Sequence, residues 1–171
     1  MTVLRLDAAA YSRHREGLAA LLRETVAAGG AVGFLHPLGE AEALAFWDVH
    51  AAGLEGGRLD LFAVLEEGAV AGTVTLDRAL PPNQPHRGDI CKMMVAPGLR
   101  RRGIAGRLLA AATERARRLG LSLLVLDTRT GDAAQELYAK AGFAAVGEIP
   151  GYALDADGRA LHGTTVMYRA L

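Results

Sequence analysis

The chain has 171 residues, close to the length of one domain. Nineteen Lys and Arg balance nineteen Asp and Glu, and 22% charged with 51% hydrophobic residues is the composition of a globular chain, not a disordered one. Zero net charge argues against wrapping nucleic acid through bulk positive charge, the single cysteine excludes an internal disulfide, and no stretch reaches the roughly 18 apolar residues of a membrane helix.

Aromatic residues are only 5%, so the core has to be built from Ala, Leu, Val and Ile. The opening segment, MTVLRLDAAAYSRHREG, lacks the unbroken apolar stretch of a secretory signal. With neither a C-x-x-C pair nor H-E-x-x-H present, the expectation is a cytoplasmic α/β protein, residues 1–171 forming one domain, with no metal site.

Val3 to Leu6 reads as a short strand. From Tyr11 to Ala28, Leu18, Leu21, Leu22 and Val26 recur at helical spacing, and Gly29-Gly30 ends that helix. A second helix follows Pro37, with Ala41, Leu44, Ala45 and Val49 on one face, and ends near Gly56-Gly57. Arg58–Leu65 and Ala69–Leu76 flank Glu66-Glu67-Gly68 as a hairpin. Prolines make Leu80 to Pro85 a loop. Ile90 to Val95 is a strand, and Gly103 to Leu119 a helix with Ile104, Leu108, Ala112, Ala116 and Leu119 along one stripe. Leu121 to Leu126 is a nearly continuous apolar run, the pattern of a central strand covered on both faces. Asp132 and Gln135 resemble a capping pair for a helix through Ala141. Phe143–Ile149 and Thr164–Arg169 complete the sheet. The order predicts a mixed sheet, parallel where strand–helix–strand passages cross over and antiparallel at the hairpin.

The chemistry concentrates between residues 99 and 119, where seven arginines face one glutamate in an otherwise neutral chain. A strand ending at Val95 feeds a loop that opens a helix at Gly103. Backbone N–H groups at a helix start are unpaired and the helix dipole adds positive potential. Gly103, Ala105 and Gly106 leave the backbone open to a phosphate. Arg100, Arg101, Arg102 and the backbone of residues 103–106 therefore read as a pyrophosphate cradle. It is not a P-loop: Gly98 and Gly103 have the spacing, but Ile104-Ala105 stands where Lys-Ser/Thr is required. Nor is it a dinucleotide fingerprint, whose glycines directly follow a strand.

Arg100-x-x-Gly103-x-Ala105, after a strand ending in Val95-x-Pro97, resembles the acetyl-CoA signature R/Q-x-x-G-x-G/A of the GNAT superfamily of N-acetyltransferases. Leu137-Tyr138-Ala139-Lys140-Ala141-Gly142-Phe143 resembles the second motif of that superfamily. The likeness runs from about Ile90 to the C-terminus in residues, and over the first 80 residues in element order alone. It implies a GNAT-type α/β fold, a mixed, mostly antiparallel central sheet with helices on both faces. More narrowly, Leu126-Asp127-Thr128-Arg129-Thr130-Gly131, Tyr138, Val146-Gly147-Glu148-Ile149-Pro150-Gly151-Tyr152 and Asp157-Gly158 resemble the tabtoxin-resistance acetyltransferases, which acetylate an amino-acid-like toxin.

The resemblance implies acetyl-CoA as co-substrate, held by Met94, Val95, Arg100, Arg101, Arg102, Gly103, Ile104, Ala105, Gly106, Thr128, Ala134 and Lys140. An amine attacks a thioester only when neutral, so a proton acceptor is needed, and a donor for the departing thiolate. Asp127, at the C-terminal end of its strand, and Asp89, beginning the neighbouring one, are the candidate carboxylates, either able to meet the substrate ammonium or pass its proton on. Tyr138 matches the family's proton donor to the CoA sulfur, and Val95 is the candidate for a main-chain N–H at the oxygen that gains charge. The expected partners are acetyl-CoA and a small amino-bearing acceptor, with no nucleic acid and no membrane, in a monomer or homodimer. Competing expectations keep the fold and change the acceptor to a protein N-terminus or lysine, or keep only CoA binding. Each residue also has a plainer reading: Cys91 as a small core residue, Phe46 and Trp47 as core, Tyr138 as a core tyrosine bonded to backbone.

Overall fold

A computed structural model describes residues 2–78 and 81–171. One sheet organises them. Its strands are β1 (Val3–Leu6), β2 (Leu59–Glu66), β3 (Ala69–Asp77), β4 (Arg87–Val95), β5 (Leu123–Arg129), β6 (Ala144–Leu154) and β7 (Leu161–Ala170), laid side by side in the order β1-β2-β3-β4-β5-β7-β6. Only β4 and β5 pair in parallel; every other ladder is antiparallel. Four helices, α1 (Ala8–Ala27), α2 (Glu40–Glu55), α3 (Ile104–Arg118) and α4 (Ala133–Lys140), flank the sheet.

Alternation along β2 sends Leu61 and Ala63 into one core with α1 and α2, and Phe62 and Val64 into another with α3. The sheet is thus covered on both faces, as the family likeness led one to expect. The doubly covered strands, however, are β2 and β3. On β5 only Leu124 and Leu126 are fully buried, and Asp127 is exposed. The apolar run 121–126 misled because Leu121 belongs to the turn into the strand, which itself continues to Arg129.

Other boundaries moved for local reasons. Helix α1 begins at Ala8, because the Asp7 carboxylate accepts from the Ala10 N–H at 2.7 Å and caps the start. Strand β4 begins at Arg87, three residues early, through its pairing with β3 and β5. Helix α2 is rotated from the expected stripe: Ala43 and Trp47 are buried while Val49 is 71% exposed. Trp47 is the reason, since its large ring fills the core and its Nε1–H donates to the Leu18 carbonyl at 3.0 Å. In the crossover from β5 through α4, β6 runs parallel to β5 but lies one place away, with β7 between them. Of the expected loop from Leu80 to Pro85, Leu80 lies outside the described residues. Among the described residues no helix is long and apolar enough to cross a membrane.

Candidate active site

The parallel ladder of β4 and β5 is short. Arg87 pairs with Leu123, Gly88 with Leu124 and Asp89 with Val125, and there the register stops. Beyond it, residues 90–95 and 127–129 line the two walls of one groove of about 1380 Å³. That exceeds the roughly 300–1,000 Å³ of an ordinary small-molecule pocket. It opens at the C-terminal ends of the parallel strands, where open α/β sheets place their ligands.

A bulge shapes the β4 wall. Thr73 pairs with Met94 but Thr75 with Cys91, so β4 carries one residue more than β3 across this interval, and Lys92 takes φ 50°. The extra residue reverses the alternation: Ile90 packs in the α3 core and Met94 in the α1/α2 core. Lys92 is thereby turned toward the loop between α1 and α2. Its Nζ donates to the Val32 carbonyl at 2.8 Å and lies 5.1 Å and 5.8 Å from the ring centres of Phe46 and Phe34. Burial holds its pKa below the ordinary lysine value.

At one end of the groove, Gly103 caps α3 with φ 77° and offers no side-chain bond to the helix N–H groups. A Cβ placed on Gly103 or Gly106 would meet nothing within 4 Å. The bare helix start is therefore open to an anion. Arg100 and Arg101 line the same end. Arg102 does not; its guanidinium makes two bonds to the Glu66 carboxylate, at 3.1 Å and 2.6 Å. Met94, Val95, Ile104, Ala105, Thr128, Ala134 and Lys140 all line the groove.

Asp127 and Tyr138 both line the groove, and the Asp127 charge is felt at the Tyr138 hydroxyl. Tyr138 is 6% exposed, its ring set edge-on to Phe143 at 5.9 Å. Its hydroxyl makes no hydrogen bond among the described residues and is not sealed from solvent. Burial, and then the charges that Cys91, Asp127 and Asp132 carry when ionised, raise its pKa well above the tyrosine norm, so it stays protonated. The plain reading of a core tyrosine bonded to backbone does not describe it. Asp89 sits apart. It pairs with Arg87 at 3.1 Å, does not line the groove, and has one carboxylate oxygen buried without a partner. Burial raises its pKa against the lowering pull of Arg87, with Asp77 and Asp127 adding to the rise. Cys91 lines the wall, but burial and nearby carboxylates push its thiol up to about 11, which leaves it a poor nucleophile at neutral pH.

Residues 16–143 match the family model described as Acetyltransferase (GNAT) family. The chain belongs to that family. Solved structures share its whole architecture. The ribosomal-protein-alanine N-acetyltransferase of Brucella melitensis superposes with a TM-score of 0.80 at 19% identity, covering 100% of both chains. The yncA structure from Salmonella typhimurium, solved with its cofactor acetyl-CoA, gives 0.79 at 19% identity, over 100% of this chain and 94% of that one. An N-acetyltransferase from Staphylococcus aureus Mu50 gives 0.79 at 17%, over 99% and 97%. At these identities the likeness is one of fold.

For a GNAT chain, the sequence reading overlooked the wall contributed by the α1–α2 loop, from Gly29 to Leu35, and by Tyr152 and His162 of the β6–β7 hairpin. Gly29-Gly30 was legible as a helix stop. Nothing local says that the loop after it folds against β4. One signal was available for Lys92: the chain has two lysines among nineteen basic residues.

Proposed function

We propose that the chain transfers an acetyl group from acetyl-CoA to the primary amine of a small molecule. The observation that carries this reading is the groove itself, with an uncapped helix start at one end and both Asp127 and Tyr138 on its walls. The open Cβ positions at Gly103 and Gly106 fit a pyrophosphate, with Arg100 and Arg101 adding charge. Arg102, paired with Glu66, would join them only by exchanging that partner. Acetyl-CoA supplies the acetyl group already activated as a thioester.

The residues divide the remaining work. Asp127 receives the acceptor ammonium and takes its proton onward to solvent, leaving a neutral amine. Asp89, behind the wall, adds negative potential and not a contact. The Val95 N–H is offered to the carbonyl oxygen as it gains charge, and one such donor is worth roughly 3 kcal/mol when preorganised. Tyr138 gives its proton to the departing sulfur and regains one, through solvent, from the nitrogen that sheds a second proton as the amide forms. Residues 1–171 act as one catalytic domain in this reading, since Tyr152 and His162, beyond the family match, line the groove. The segments Leu126–Gly131 and Val146–Tyr152 resemble the tabtoxin-resistance acetyltransferases, which supports an amino-acid-like acceptor. Release of thiol from acetyl-CoA, dependent on pools of small amino compounds, is the expected result. Thiol release only with peptide N-termini, or none with any amine, overturns the reading.

A further inference from the structure

Lys92 has no role in the steps above, yet its position is costly. The bulge that aims it holds a non-glycine residue at φ 50°, a region such residues enter rarely. Its ammonium has three protons to donate. Among the described residues it makes one hydrogen bond, to the Val32 carbonyl, and has no carboxylate partner within ion-pair distance. Two aromatic faces flank it in place of water. A half-buried cation with unused donors is stabilised most by an anion. The groove supplies the complement: Lys92 lies on the β4 wall and Asp127 on the β5 wall.

We propose that Lys92 anchors a carboxylate of the acceptor, so that the acetylated molecule is an amino acid or close analogue, its carboxylate at Lys92 and its amine at Asp127. This rests on the acetyl-transfer reading and adds the residue that reads the acceptor's carboxylate. The two charges on opposite walls select a zwitterion and orient its amine toward the split. Phe34 and Phe46 keep water from the carboxylate side, which strengthens the pairing. Lysine suits the task, since a compact ammonium on a flexible stem fits between two rings where a planar guanidinium would need more room.

The test compares acetylation of L-alanine, L-methionine, L-phenylalanine and L-lysine with that of their carboxamides, each rate normalised to its neutral-amine fraction. The wild-type chain should favour the acids in kcat/KM by about 10- to 100-fold, the range of one charge-assisted bond in a sheltered site. Lys92→Met should bring that ratio to near one, and Lys92→Arg should retain part of it. A merely structural lysine, tying the α1–α2 loop to β4, would lower both rates together and leave the ratio intact; that result overturns the proposal. Amides acetylated as well as acids by the wild-type chain overturn it too, while acetyl transfer stands. No thiol release with any acceptor overturns both readings.

Should Lys92→Met fail to fold, the wild-type chain decides. Reductive methylation in the presence of CoA is read by mass spectrometry at the only two lysines, Lys92 and Lys140. N-acetyl-L-methionine should protect Lys92, and its amide should not, with exposed Lys140 as internal control. Equal labelling of Lys92 with and without the acid rules the anchor out.

Discussion

Tyr138 carries a buried ring and an unspent hydroxyl, and those two properties separate in the Tyr138→Phe variant. Among the described residues the hydroxyl has no partner to lose, so Tm should change little. Positioned acid catalysis contributes about 10²–10⁴-fold, and a thiolate is a fair leaving group, so kcat should fall by about 10²-fold with acetyl-CoA affinity intact. Normal turnover in a well-folded variant would remove Tyr138 from the mechanism. Asp127→Asn should likewise cut kcat by about 10²-fold while calorimetry finds acetyl-CoA binding unchanged. Loss of affinity in step with turnover would move Asp127 to the cofactor side. Asp89 gives a pH signature. A carboxyl whose folded pKa lies above its unfolded value of about 3.9 binds more protons folded than unfolded between the two, so its contribution to stability falls as pH climbs through that window. Asp89→Asn removes this titration. Its Tm should exceed the wild-type value at pH 7, the gap closing toward pH 4. A constant gap across that range would contradict the burial assigned to Asp89.

At the scale of elements, the start of α3 is the place where stability and binding should move in opposite directions. Gly106 sits in the first turn with ordinary helical φ, and a side chain there would project into open space. Gly106→Leu gains up to about 0.8 kcal/mol of helix propensity and fills the volume offered to the pyrophosphate. Tm should hold or rise while the Kd for acetyl-CoA rises at least about tenfold, the equivalent of 1.4 kcal/mol. A raised Tm with unchanged Kd would place the pyrophosphate elsewhere. Gly103→Leu is the less clean variant, since φ 77° adds backbone strain to any side chain. Element α2 shows the limit of pattern reading. Its alanines occur on every face, so periodicity alone did not say which side Trp47 would turn inward.

Across the whole molecule, Asp60 ties separate parts of the chain together. Its side chain is 2% exposed and is met by Arg5 from β1 at 2.9 Å, Arg78 beyond β3 at 3.3 Å and Arg115 from α3 at 3.0 Å. Removing one charge from a buried pair costs about 3–5 kcal/mol. The arginines here are partly solvated, so Asp60→Asn should cost about 3 kcal/mol. For a chain of this size that lowers Tm by roughly 6–12 °C. Acetyl-CoA affinity measured well below the new Tm should be preserved, because none of the four residues lines the groove. A fall in affinity without a fall in Tm would assign the cluster to function.

Much of this was legible in the residues alone. The leucines of α1 and, on α3, Ile104, Leu108, Ala112 and Ala116 recur at helical spacing and are buried as that spacing requires, while Leu119 falls just past α3 and is partly buried. The open helix start was legible because its pattern is local: Arg100-x-x-Gly103-x-Ala105 carries charge and backbone freedom within six residues. What stayed hidden depends on pairing between distant segments. The β4–β5 ladder stops after Asp89 because of how two strands 36 positions apart diverge, and that opening is the groove. The bulge at Lys92 exists only relative to β3, and it alone decides that this lysine faces Phe34 and Phe46. Arg102 looked equal to its neighbours until Glu66 of the β2–β3 hairpin was placed beside it. Local propensity and spacing set the elements and the open start of α3. Register and long-range charge pairing, which cost nothing to rearrange in an unfolded chain, decided which residues share the active groove.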